Sequence, residues 1–232
     1  MKILALDTST MMASCAVLDD TRVLGEYSIS QEMSHSERIV PMIDEILKGL
    51  DMKIDDIDLY AVARGPGSFT GLRIGVATMK AFAHMFDKAI IGVATIEGLA
   101  FNLPHNDIVV PMIDARRNRV YTGIYSWKGG KLHTIMKADA LEIDELLDRL
   151  GKEYDNLTVN GDGSLLYREK IEKALGAKVN YSTMGLNHCR ASSIGELALI
   201  KYNEGYRDDY YTLVPDYLRK SQAERELEKK EQ

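Results

Sequence analysis

The chain has 232 residues, 45% of them hydrophobic and 28% charged, with a formal net charge of −6. That length supports one large or two small domains with a real core, and the profile is that of an ordinary soluble protein. No apolar run is long enough to span a bilayer, and Met1 leads straight into a strand pattern instead of a signal peptide, so no membrane role is expected and the expected place is the cytoplasm.

Net acidity also argues against strong autonomous binding to nucleic acid, which needs a basic face. The local set Arg116, Arg117, Arg119, Lys128 and Lys131 weakens that argument without reversing it, because a solvated hairpin surface explains it as well. Cys15 and Cys189 have no metal-type spacing; Cys15 reads as a buried strand residue.

Lys2 to Leu6 predicts a strand, Asp7-Thr8-Ser9-Thr10 a polar turn, and Ala13 to Leu18 and Thr21 to Ile29 two further strands. In that turn the Asp7 side chain is expected to cap the backbone, the alternative being a weak metal–phosphate contact. Ser34 to Leu50 predicts an amphipathic helix with Ile39, Val40, Ile43, Ile46, Leu47 and Leu50 on its apolar stripe. Ser34 or Ser36 is placed to cap it, and Pro41 predicts an irregular first turn or a slight kink. His35, Ser36 and Glu37 are sequence neighbours and cannot converge as a catalytic triad without distant help.

The most informative stretch is Ile57 to Ala83, IDLYAVARGPGSFTGLRIGVATMKAFA. Asp58 to Ala63 predicts a buried strand, Gly65-Pro66-Gly67 a turn, and the residues from about 70 to 84 a helix capped by Ser68 or Thr70. A Gly-rich strand-to-helix turn can offer backbone N–H groups to an anion. Here Gly71 is followed by Leu72-Arg73 instead of Lys-Ser/Thr, and three residues separate Gly67 from Gly71, so both nucleotide fingerprints fail. The remaining reading is a tight junction packed against something. Gly71, Gly75, Ala77, Ala81 and Ala83 are small residues on this helix and predict either a closely packed partner helix or a core position.

Ala89 to Val93 predicts a strand, and Phe101 to Asp107 a crossing into a second lobe. Ile108 to Ile113 and Val120 to Trp127 flank a charged turn, Asp114 to Arg119, and a Gly129-Gly130 turn leads into Lys131 to Ile135. This strand–Asp turn–strand echo of the N-terminus suggests duplication. Short helices are expected at 142–150, 165–175 and from Ser192 or Ser193 onward, with strands at 157–160 and 179–181. Residues 210–219 read as an extended tail packing on the first lobe, and SQAERELEKKEQ from Ser221 as a charged frayed end.

MKILALDTST, SHSERIVPMIDEIL, GPGSFTGLRIGVATMKAFA, DARRNRVYTGIY and PDYLR together resemble the bacterial TsaB (YeaZ) family, over nearly the whole chain to about Arg219. The resemblance implies an α/β, two-lobed actin/Hsp70-like fold of mixed sheets flanked by helices, with lobes at 1–103 and 104–205 and residues 206–219 returning to the first. It implies a non-catalytic subunit of the machinery that transfers a threonylcarbamoyl group to N6 of adenosine 37 in tRNAs reading ANN codons. It further implies docking to a TsaD-like catalytic paralogue and a TsaE-like ATPase, a homodimer in isolation, and tRNA contacted only in the complex.

The partner face implied by the family's contacts lies on the helices at 34–50 and 70–84, with Ser36, Ile39, Val40, Ile43, Leu72, Arg73, Val76, Met79 and Lys80. Charged replacement of Val76 or Met79 is expected to abolish pairing in a folded subunit. The superfamily's phosphate turns are Asp-x-Gly-Thr and Asp-x-Gly-Gly; here they read Asp7-Thr8-Ser9-Thr10 and Asp114-Ala115-Arg116-Arg117, lacking the glycines that let backbone approach phosphate. Gly161-Asp162-Gly163-Ser164 stands where an adenosine turn is expected, or is an ordinary strand–helix loop. Catalytic paralogues carry two metal-binding histidines four apart on a helix; Thr95 and Leu99 occupy those places, and leucine cannot ligate a metal. No intrinsic cofactor is therefore expected, with ATP, ADP or magnesium restricted to the interface of the complex. The rival readings are an actin-like ATPase or kinase using Asp7 and Asp114 around magnesium, and a protease, for which no nucleophile or metal constellation survives.

Overall fold

The computed structural model describes residues 1–30, 35–104 and 106–218, with backbone alone at His35 and Ser36. Expectations for Ser34, for the Ser36 side chain, for Arg219 and for the charged end from Ser221 lie outside the described residues.

Continuous apolar runs, buried on both faces, lay down most of the first sheet. β1 (Ile3–Asp7), β2 (Met12–Leu18) and β3 (Val23–Ser30) form an antiparallel meander, and β4 (Leu59–Gly65) and β5 (Ala89–Ala94) add in parallel to β1, in the order β3-β2-β1-β4-β5. The second sheet repeats this plan. β6 (Ile108–Asp114), β7 (Arg119–Lys128) and β8 (Lys131–Glu142) are antiparallel, β9 (Leu157–Asn160) and β10 (Val179–Tyr181) are parallel to β6, and the order is β8-β7-β6-β9-β10. The internal echo in the sequence is thus a duplicated topology.

Among the described residues, seven α-helices complete five layers. α1 (His35–Gly49) and α2 (Phe69–Met85) cover one face of the first sheet, where Ile39, Ile43, Ile46 and Met79 meet Leu4, Leu6 and Val17. α4 (Ile143–Glu153), α5 (Asp162–Leu166) and α6 (Arg168–Leu175) follow the second sheet's strands, and α4 and α6 share its outer core through Leu146, Leu150 and Ile171. Between the sheets lie α3 (Thr95–Phe101) and α7 (Ala191–Asn203).

Several boundaries differ from the sequence expectation. α7 does not stay with the second lobe: Ala191, Ile194 and Ala198 join Ile3, Ala5 and Ala16 of the first sheet. Gly195 allows this, since a Cβ there would stand 2.5 Å from a Leu18 methyl and 3.1 Å from the Ala5 Cβ. Glu26 on β3 fixes the entry to α7, accepting hydrogen bonds from Arg190, from Ser192 N at 2.9 Å and from Ser192 Oγ at 2.7 Å. β8 extends to Glu142 because Arg119 to Thr122 keep pairing with it beyond two bulges. The helix expected over 165–175 breaks at Tyr167, and α1 runs through Pro41.

Candidate functional site

The sheet topology brings three loops to one end of the interlobe cleft: Asp7–Thr10 after β1, Asp114–Asn118 after β6, and Gly161–Gly163 after β9. These are the loops singled out as degenerate nucleotide turns. The structure closes each of them differently.

The first loop is buried under the start of α2. Thr8 Oγ1 donates to Gly71 O at 2.7 Å, and Ser68 N donates to Ser9 O at 2.6 Å. Cβ atoms at Gly67 and Gly75 would lie 2.2 Å from Ser9 O and 2.3 Å from Thr8 Oγ1. Gly67 and Gly75 therefore admit the chain's own turn. Ser68 caps α2 by accepting from Gly71 N at 3.3 Å. Asp7, Thr8 and Ser9 are buried, and only Thr10 of this loop reaches the cleft.

Asp7 holds its own turn, as expected: Oδ1 accepts from Ser9 N at 3.0 Å, while Oδ2 is buried with no hydrogen-bond partner. Burial pushes this carboxyl up to about 6, partly offset by the neighbouring Ser9 and Cys189 side chains. Cys189, buried and free, donates from Sγ to Thr95 O at 3.7 Å, and burial followed by the Asp7 charge raises its thiol well above the ordinary value.

The second loop is shaped by its own backbone conformation and hydrogen bonds. Arg116, Arg117 and Asn118 adopt left-handed conformations with φ of 62°, 57° and 60°, which cost about 1–2 kcal/mol per non-glycine residue. Asp114 Oδ1 accepts from Arg116 N at 2.8 Å, and Asn118 Nδ2 donates to Asp144 Oδ2 at 3.1 Å, holding the turn shut. The third loop abuts β6: Cβ atoms at Gly161 and Gly163 would stand 2.1 and 3.0 Å from Met112 backbone atoms. Asp162 Oδ1 accepts from Asp114 N at 3.1 Å, and desolvation with the Asp114 charge nearby raises its carboxyl.

What remains between the lobes is a cavity of about 300 Å³ with Met11, Met12, Leu99, Ile113, Met184 and Cys189 among its lining. Thr95 and Leu99 are buried in the interlobe core. No group of three or more His, Cys, Asp or Glu side chains stands in a metal-binding arrangement among the described residues.

The basic set divides. Arg116, Arg117 and Arg119 stand at one end of β7, while Lys128 faces Lys131 at the other, roughly 30 Å away at strand rise. Arg119 pairs with Glu142 at 2.7 Å and Arg116 with Asp114 at 3.3 Å.

The expected partner face needs correction. Ile39, Ile43, Leu72 and Met79 are buried against the sheet, and Val76 is only 3% exposed. They stabilise the lobe, so a charge at Met79 is predicted to unfold it. The outward positions are Val40 and Pro41 on α1 and Arg73, Ala77 and Ala81 on α2, with Lys80 half-buried. A strap, residues 206–218, lies along α2: Tyr217 stacks on Phe69 at 4.0 Å, and Arg73 Nε donates to the Tyr217 hydroxyl at 3.0 Å. Lys80 Nζ donates to Leu213 O at 2.8 Å, and His84 Nε2 lies 3.0 Å from the Tyr211 hydroxyl. Sequence reasoning placed this tail on the first lobe, but had no signal that α2's polar residues hold it.

Comparison with known proteins decides the family. The family described as "TsaD: tRNA N6-adenosine threonylcarbamoyltransferase" matches residues 22–227. A Bacillus subtilis protein named "tRNA threonylcarbamoyladenosine biosynthesis protein TsaB" is 36% identical, over 97% of this chain and 96% of its own length. The chain belongs to the TsaB (YeaZ) family. YeaZ from Pseudomonas aeruginosa superposes with a TM-score of 0.80 at 26% identity, covering 94% of this chain and 99% of that one. Component A of (R)-2-hydroxyglutaryl-CoA dehydratase from Acidaminococcus fermentans shares the fold at a TM-score of 0.52 and 12% identity, over 88% of this chain and 98% of its own. This TsaB-family chain thus has the two-lobed actin-like fold expected from its sequence and takes part in the biosynthesis of threonylcarbamoyladenosine in tRNA.

Proposed function

We propose that the chain is a non-catalytic subunit that docks on a TsaD-like catalytic paralogue and supports transfer of the threonylcarbamoyl group to N6 of adenosine 37 in ANN-reading tRNAs. The observation that carries this reading is the closure of the first loop. Where an actin-like enzyme cradles phosphate, Thr8 and Ser9 are instead hydrogen-bonded into the start of α2. An enzyme of this fold needs backbone N–H groups open to phosphate and a cation nearby, and here the glycines face inward.

Docking is assigned to the outer face of α2, with Val40 and Pro41 of α1 beside it, and the same face gives the homodimer when the partner is absent. The TsaE-like ATPase and tRNA are engaged in the assembled complex, where ATP, ADP and magnesium belong to the interface. The place of action is the cytoplasm; no described helix is long and apolar enough to cross a membrane. The test is reconstitution of tRNA modification with the purified paralogue and ATPase. Omission of this chain removes activity, and Ala77→Arg, at an exposed position, does the same without lowering thermal stability. Full modification by the paralogue in the absence of this chain overturns the reading.

A further inference from the structure

We infer that the C-terminal strap supplies one wall of the docking groove, and that the groove takes a partner helix with a small or aliphatic contact stripe and an acidic flank. This rests on the docking role proposed for α2 and adds a second, non-helical element to it. Residues 209–217 lie beside α2 and leave a groove of about 580 Å³ between them. Its floor is Val76, Ala77, Ala81 and Leu213, and its strap wall carries Tyr211 and Val214.

Three observations select this occupant. Tyr211 and Val214 are 69% and 64% exposed, which makes them large apolar surfaces on the rim of an apolar floor. Ala77 and Ala81, one helical turn apart and both outward, let a second helix axis approach closely. Arg73 and Lys80 also line the groove, and Lys80 is held there by the strap carbonyls of Tyr211 and Leu213. Their positive charge favours carboxylates on the incoming helix.

The strap is also built as a fixed wall. Asp216 N donates to Arg64 O at 2.6 Å, Asp208 N to Ile90 O at 3.1 Å, and Gly92 N to Asp208 Oδ2 at 2.8 Å. Gly65 admits it, since a Cβ there would meet Asp216 O at 2.6 Å. Arg73 and Lys80 thus act first on the strap, and the apolar contact with the partner falls to Ala77, Ala81, Tyr211 and Val214.

The experiment measures affinity of the full chain for its purified TsaD-like paralogue by calorimetry, comparing Val214→Asp with Ala77→Arg and with Val23→Asp on the distant edge of β3. Val214→Asp weakens binding by roughly tenfold or more with an unchanged melting temperature, and Val23→Asp leaves binding as it was. Hydrogen exchange of the unmodified chain then shows added protection of amides 210–215 in the complex, and raising salt weakens binding. Loss of binding in Ala77→Arg but not in Val214→Asp, with no added strap protection, overturns the strap's role while leaving the docking helix intact. Unchanged binding in both variants overturns the docking reading itself, and affinity indifferent to salt overturns the acidic flank.

Discussion

Asp7 is a buried carboxylate whose Oδ2 lacks a hydrogen-bond partner among the described residues. Its folded-state value of about 6 stands above the ordinary 3.8. A raised carboxyl stabilises the fold fully below the unfolded value, and that contribution is lost as pH rises through the folded one. Asp7→Asn is therefore expected to raise unfolding free energy by about 1–3 kcal/mol near pH 7.5, with the gain shrinking towards zero near pH 4. Urea melts at the two pH values check this; an equal effect at both contradicts it. The glycines give a second residue-scale prediction. Gly75→Ala forces a methyl onto Thr8 Oγ1, an overpacking cost of about 1–3 kcal/mol. Thr8→Ala in the same chain recovers part of that loss, which a double-mutant cycle measures. The sequence made the glycines conspicuous, but not their neighbour: the contact partner lies some sixty residues away.

At the scale of elements, strand and helix positions were legible because burial imposes its period on the sequence. Leu4 and Leu6 face one core while Ile3 and Ala5 face the other. The direction of the faces on α2 was not legible. Leu72, Val76 and Met79 follow a helical stripe that serves equally as core or as interface, and only the presence of the sheet beneath them decides. Met79→Asp is therefore predicted to unfold the lobe, since it buries an unpaired charge at a cost of several kcal/mol. Ala77→Arg keeps the wild-type circular dichroism and melting curve. A folded Met79→Asp chain contradicts this packing. The basic residues do not form one cluster, because a ten-residue strand sets Arg119 and Lys128 at opposite ends, and this leaves the solvated hairpin surface of the sequence reading.

For the whole molecule, the repeated Asp-turn signal pointed to duplication, and both sheets carry the same strand order. The packing of α7 was not legible, because the helix is rich in small residues and apolar on several sides, and nothing local says which sheet it joins. The outcome is one interlobe layer shared by both sheets, with the first of the three loops bonded into the start of α2 and the other two held by Asp114 and Asp162. The central claim is that these loops no longer grip phosphate. Calorimetric titration of ATP with Mg²⁺ into the purified chain tests it most directly. The account predicts no binding by the chain alone and binding only when the TsaD-like partner is present. Stoichiometric binding to the isolated chain, lost on Asp7→Ala or Asp114→Ala, would contradict it and give the lead to an actin-like ATPase or kinase.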